Sequence, residues 1–145
     1  MIGLLQRVSR AEVRVAGDVV GAIGPGLMVL VGVQRDDSEA TARRLAERLV
    51  GYRVFEDVTG RMNLSLKDTG GGLLLVPQFT LAADTKKGTR PSFTPAAPPE
   101  LGLERFQQLV GAASEMVDEV ATGHFGAHMQ VELVNDGPVT LWLEV

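Results

Sequence analysis

Leu73–Asp84 reads LLLVPQFTLAAD. Its first four residues look like a buried strand, yet Pro77, Gln78 and Thr80 interrupt the apolar run. Proline has no N–H to give to a sheet ladder and belongs at an edge, a bulge or a strand end. The strand is therefore expected to stop here, leaving the residues that follow to present something other than another rung.

Working outward, LMVLVGV (Leu27–Val33) follows the turn signal Gly24-Pro25-Gly26 and is nearly continuous in apolar residues, as a central strand buried on both faces would be. Leu4–Val8 and Val13–Val20 read as earlier strands, with Gly17-Asp18 as a hairpin turn. Ser38 can cap a helix whose apolar positions are Ala42, Leu45, Leu49 and Tyr52, with Glu39 and Arg43 spaced for an ion pair on its solvent face. Turns are expected at Asp57–Gly60 and at Gly70–Gly72. A long irregular segment, AADTKKGTRPSFTPAAPP, ends at Pro98-Pro99, where a second helix starts with the stripe Leu103, Phe106, Leu109, Val110, Ala113, Met116 and Val117. Met129–Val134 alternates, Asn135-Asp136-Gly137-Pro138 reads as a turn, and VTLWLEV finishes as a strand. The pattern predicts one α/β (α+β) domain over residues 1–145, with a mixed sheet curled toward a barrel and two main helices.

Composition narrows the chemistry. The 145 residues are 45% hydrophobic and 22% charged, an ordinary globular balance. Absence of cysteine excludes disulfides, thiolate catalysis and cysteine metal sites, and fits a reducing, cytoplasmic setting. Arg7 and Arg10 stand too close to the first apolar residues for a signal peptide or a membrane span. A net charge of −4 argues against broad affinity for nucleic acid and leaves room for a local basic patch.

No familiar catalytic set is visible. His124 and His128 are four apart, but GHFGAH puts glycine around them and no acidic residue stands in an HExxH arrangement, so no metal is expected. There is no GxSxG elbow. Thr80 is a candidate nucleophile with no identifiable base, and taken alone it reads first as a structural threonine. Lys86, Lys87 and Arg90 form a basic loop that is either solvated or a phosphate contact. Gly137-Pro138 is either an ordinary turn or a cis or strained bend that presents bare carbonyl groups.

Taken together, QRVSRAEV (Gln6–Val13), VPQFTLAAD (Val76–Asp84), KKGTRPSF (Lys86–Phe93) and VNDGPVTLW (Val134–Trp142) resemble the D-aminoacyl-tRNA deacylase family across essentially the whole chain. The resemblance implies a cofactor-free homodimeric hydrolase that cleaves the ester between a D-amino acid, or glycine, and the terminal ribose of tRNA. It implies that Gln78, Phe79 and Thr80 line the catalytic pocket, with backbone N–H groups stabilising the oxyanion and the substrate 2′-hydroxyl assisting. It implies further that Gly137-Pro138, in cis and steadied by Arg7, reaches into the other subunit's site. Pro77 stands where the family has serine. Two other readings compete: a tRNA-binding module without catalysis, and an ester hydrolase with Thr80 as nucleophile.

Overall fold

The computed structural model describes residues 1–145. β1 (Ile2–Val15) turns into β2 (Asp18–Ile23), and β3 (Gly26–Gly32) precedes α1 (Glu39–Gly51). A small hairpin of β4 (Phe55–Glu56) and β5 (Met62–Leu64) leads through the one-turn helix α2 (Leu66–Thr69) into β6 (Gly72–Pro77). A 3-10 turn (Phe79–Ala82), α3 (Pro99–Ser114), β7 (Val120–Thr122) and β8 (Gln130–Glu144) complete the chain.

The main sheet is mixed, as the sequence predicts. β1 runs antiparallel to β8 along one edge and divides its other edge between β3, opposite Ile2–Val8, and β2, opposite Ala11–Val15. β3, β6 and β7 are parallel neighbours. β2 curls over against β7 so closely that a Cβ built on Gly21 would lie 2.4 Å from the Thr122 carbonyl oxygen. Only glycine permits that approach, and it brings the sheet nearly to a closed barrel.

Two apolar clusters explain the unbroken hydrophobic runs. Leu27, Val29 and Val31 of β3 and Leu73 and Leu75 of β6 pack under α1 and α3. Their alternate neighbours Met28, Leu74 and Val76 fill the interior of the curl. Strands buried on both faces need no polar alternation. β1 contributes Leu5 to the first cluster and Val8, Ala11 and Val13 to the second. The change of parity between Val8 and Ala11 comes from a bulge: Val8 faces Asn135, but Arg10 faces the adjacent Val134. One extra residue turns the following side chains to the other face.

Several expectations are corrected. The hairpin turn is Ala16-Gly17, both with positive φ, one residue earlier than the sequence suggests. Ser38 does cap α1, in a reciprocal box with Thr41, but Tyr52 lies beyond the helix as its C-cap, with the Arg48 guanidinium 5.9 Å from its ring centroid. Glu39 is not the partner of Arg43, which reaches Glu115 at 3.0 Å because α1 lies alongside the end of α3. In α3, Phe106, Leu109 and Ala113 are buried, while Leu103 is 38% exposed; Met116 and Val117 pack on the core from beyond the helix end.

The largest correction concerns Asn135–Pro138. A hairpin would pair Met129–Val134 with Val139–Val145; instead both halves pair with β1 as the single strand β8. Gln6 faces Thr140 and Val8 faces Asn135, so four residues of β8 bulge out opposite Arg7 alone.

The contrast in burial between Leu75 of β6 and Leu103 of α3 is testable by urea denaturation. Leu75→Ala should cost about 2–5 kcal/mol of stability, as a cavity in a fully buried site does. Leu103→Ala should cost less than about 1 kcal/mol. Comparable losses at both positions would overturn that contrast.

Candidate active site

Pro77 is the last residue of β6, opposite Val31 of β3. Alternate N–H groups of β6 point to β3 and to β7: Gln78 N donates to Val31 O at 2.7 Å, and Leu73 N donates to Glu119 O at 2.9 Å on the other side. Position 77 therefore faces the β7 side, where β7 has already ended at Thr122 and the proline ring lies against Gly123. No rung is lost by placing proline there, which answers the oddity in the sequence.

The rung from Gln78 also corrects an expectation, because its N–H is engaged in the ladder and is not available to a substrate. Phe79 and Thr80 open the 3-10 turn, and the first N–H groups of such a turn have no partner within it. Neither donates to any of the loop and turn carbonyls. The Gln78 side chain bends back, its Nε2 donating to Thr80 Oγ1. That is the hydrogen bond the threonine hydroxyl makes; His124 and His128 are exposed on the loop between β7 and β8 and do not join it.

Beside this strand end opens a cavity of about 450 Å³. Pro77, Gln78 and Phe79 form one wall, and Val31 and Val33 continue it at the end of β3. Two aromatic pairs enclose the rest. Phe79 and Phe93 have ring centroids 5.1 Å apart at 54°, and Phe106 and Phe125 lie 6.4 Å apart at 44°. A cavity of this size and apolar character suits a flat aromatic ligand fixed by a few polar groups.

Sequence reading missed Phe93, Phe125 and Arg35 as parts of this wall. Phe125 sits in the middle of GHFGAH, where the histidines drew attention; an aromatic residue in a glycine-rich loop was the available signal. Lys86, Lys87 and Arg90 are exposed on the loop closed by reciprocal hydrogen bonds between Asp84 and Ser92, and they stand outside the cavity wall.

The second group of expected residues is assembled elsewhere. Arg7 is 9% exposed, with Nε donating to Asp136 O at 3.0 Å and Nη1 to Val54 O at 2.6 Å. It ties the bulge of β8 to the start of the β4–β5 hairpin. That hairpin is knit by Asp57, which accepts from Thr59 Oγ1 at 2.6 Å and Thr59 N at 2.8 Å; these bonds, led by the threonine hydroxyl, hold its carboxyl below the usual carboxylate range. Across the bulge, Val139 N donates to Asn135 Oδ1 at 3.1 Å and Asn135 Nδ2 to Thr140 Oγ1 at 2.8 Å. Gly137-Pro138 is cis, with Gly137 at φ +126°. A Cβ there would meet Arg7 Nη2 at 2.7 Å, so space and backbone conformation both demand glycine. Both residues of the pair are exposed and neither lines the cavity of its own chain.

Comparison with known proteins agrees with this architecture. The chain is 36% identical, with a TM-score of 0.96 and coverage of 100% of this chain and 99% of the other, to a solved structure described as c-Myc DNA unwinding element binding protein. A second solved structure, described as a probable eukaryotic D-amino acid tRNA deacylase, shares the fold at a TM-score of 0.82 and 18% identity, covering 99% and 98% of the two chains. Proteins named D-aminoacyl-tRNA deacylase are 70% identical in Thioalkalivibrio sulfidiphilus, covering 100% of this chain and 97% of that one, and 61% identical in Pseudomonas putida, covering 100% of both. The family model for D-Tyr-tRNA(Tyr) deacylase matches residues 4–144, and on this whole-length agreement the chain belongs to the D-aminoacyl-tRNA deacylase family.

Proposed function

We propose that residues 1–145 act as one deacylase domain that hydrolyses the ester between a D-amino acid, or glycine, and the terminal ribose of tRNA. The observation that carries this reading is the pair of unengaged N–H groups of Phe79 and Thr80 at the lip of an aromatic cavity. The terminal adenosine fits the cavity, and the ester carbonyl then lies at the strand end. An aminoacyl ester is already activated and carries a ribose hydroxyl beside the scissile bond. Positioning and two backbone donors to the developing oxyanion suffice for such a substrate without an acid–base triad. Gln78 orients Thr80 through its side chain rather than giving its own amide.

In this reading the protein works as a homodimer in the cytoplasm, and Gly137-Pro138 of the partner subunit completes the site. Three features support it: the cis pair is exposed outside its own cavity, β8 has an edge without a strand partner, and Trp142 on that strand is 51% exposed. No helix is long and apolar enough to cross a membrane. Carbonyls of Gly137 and Pro138 held close to the α-carbon would leave an L side chain no space while a D side chain points outward. Glycine, with no side chain, passes such a filter. Lys86, Lys87 and Arg90 meet tRNA phosphates outside the cavity.

The expected result with D- and L-tyrosyl-tRNA is hydrolysis of the D ester and of glycyl-tRNA, little hydrolysis of the L ester, and no effect of a chelator. Zinc-dependent activity would overturn the reading, and tRNA binding without single-turnover cleavage would favour the non-catalytic module.

Thr80→Ala and Pro77→Ser should each retain activity within about tenfold, or roughly 1.4 kcal/mol in barrier. A serine N–H at 77 meets no strand, and the amides that follow keep their aim. Collapse of Thr80→Ala to the uncatalysed rate with binding intact, or a trappable acyl-enzyme, would establish the threonine as nucleophile. A natural protein rescued only by serine would give the chemistry to that hydroxyl.

Gly137→Ala should lose about 1–3 kcal/mol of stability from a backbone conformation reserved for glycine. It should also lose either activity or D/L discrimination. Unchanged discrimination in the folded variant would reduce Gly137-Pro138 to a structural bend.

A further inference from the structure

Arg35 is the single charged residue in the wall of the cavity. It leaves β3 just beyond the strand's end, and its backbone N donates to Pro95 O at 3.1 Å. Its Nε donates to Thr94 O, which fixes the root of the guanidinium against the loop that carries Phe93. Within the chain the guanidinium is hydrogen-bonded through Nε only, and no carboxylate lies within ion-pair distance. Asp37, two residues on, is occupied elsewhere: it accepts from the Met1 ammonium at 2.6 Å and from Gln34 N at 2.6 Å. The result is a cation tethered by one nitrogen, with Nη1 and Nη2 unengaged, at the mouth of an otherwise uncharged and mostly apolar cavity.

A free, exposed arginine is ordinary; one tethered on the rim of an aromatic cavity has a narrower set of ligands. A nucleoside seated in the cavity with its ester at Phe79 and Thr80 must leave by its 5′ side, because the rest of the polynucleotide lies outside. The first anion met on that path is the phosphodiester joining the terminal nucleoside to the one before it. Guanidinium groups bind phosphate oxygens through paired N–H donors, and a tethered one loses less freedom in doing so.

We propose that Arg35 binds the phosphodiester on the 5′ side of the terminal nucleoside, through Nη1 and Nη2, and so sets how deeply that nucleoside enters the cavity. This rests on the deacylase reading of the site. It is separate from any role of Lys86, Lys87 and Arg90, which stand outside the cavity on their own loop. Arg35 is thereby a substrate-binding residue and takes no part in the chemical step.

The test uses the full-length protein acting on D-tyrosyl-tRNA, with adenosine and adenosine 5′-monophosphate as competing inhibitors. In the natural protein the monophosphate should inhibit at least about fivefold more tightly than adenosine. In Arg35→Gln that advantage should vanish, KM for the tRNA ester should rise about tenfold at unchanged kcat, and the slope of log(kcat/KM) against log salt should flatten by about 0.7. Arg35→Lys, which keeps the charge, should keep most of the salt slope. Equal weakening of both inhibitors in Arg35→Gln would show that the residue only props the Thr94 loop and would overturn the proposal. So would a natural protein that does not prefer the monophosphate. Failure of the deacylase reading is distinguishable from either: the natural protein would then leave D-tyrosyl-tRNA intact before any variant is compared.

Discussion

The hydrogen bond from Gln78 N–H to Val31 O is the last rung of a ladder whose strands are buried on both faces, and the position of the site depends on it. Val31 and Leu75 lie in the core under the helices, Leu74 and Val76 inside the curl, all at most 1% exposed. A strand held from both sides has almost no freedom to shift, so the residue where its pairing stops is fixed in space. Immediately after that rung the chain folds into a 3-10 turn whose opening N–H groups have no inner acceptor. Preorganised donors of this kind need no rearrangement when negative charge develops. In the proposed site, the rigidity that a side-chain catalyst would obtain from packing would come from the sheet itself.

A second constraint is the burial of Arg7. An arginine removed from water must find acceptors, and in this chain they are carbonyl groups, Val54 O and Asp136 O, rather than a carboxylate. The guanidinium occupies the gap that opens where four residues of β8 stand opposite one of β1. It therefore links three separate segments, and the lack of a side chain on Gly137 is what makes room for it. Arg7 thus joins the dipeptide bend to the β4–β5 hairpin, donating to Asp136 O beside the one and to Val54 O before the other.

The fold was legible where burial dictates composition. Leu27–Val33 and Leu73–Val76 announce strands covered on both sides, and Ser38 announces its helix. What escaped was decided by partners distant in sequence. Leu103 has the right helical spacing for the core, yet α3 rolls so that Phe106 and Ala113 face inward and Leu103 does not. Asn135-Asp136-Gly137-Pro138 has every local mark of a hairpin, and only the presence of β1 alongside both halves converts it to a bulge. Of the site, Pro77 to Thr80 stood out because they break an apolar run. Phe93 and Phe125 did not, because their wall is assembled from two loops and nothing local reports that a cavity lies between them.

Such a division of labour bears on how selectivity and catalysis can be separated in one small domain. In the proposed reading the donors of Phe79 and Thr80 act on the ester carbonyl, which is common to D and L substrates, so they would accelerate both without distinguishing them. Discrimination has to come from elements placed around the α-carbon, and the wall of a single chain's cavity carries no polar side chain beyond Gln78 and Arg35. The proposed delivery of the Gly137-Pro138 bend from a partner subunit would supply what is missing: carbonyl groups cannot retreat as a side chain could, so the L configuration would be refused by volume rather than by weaker attraction. A filter of this type accepts any D side chain, because that side chain lies where the protein is absent, and it accepts glycine for want of anything to clash. Breadth toward substrates and strictness toward configuration then follow from one geometric arrangement.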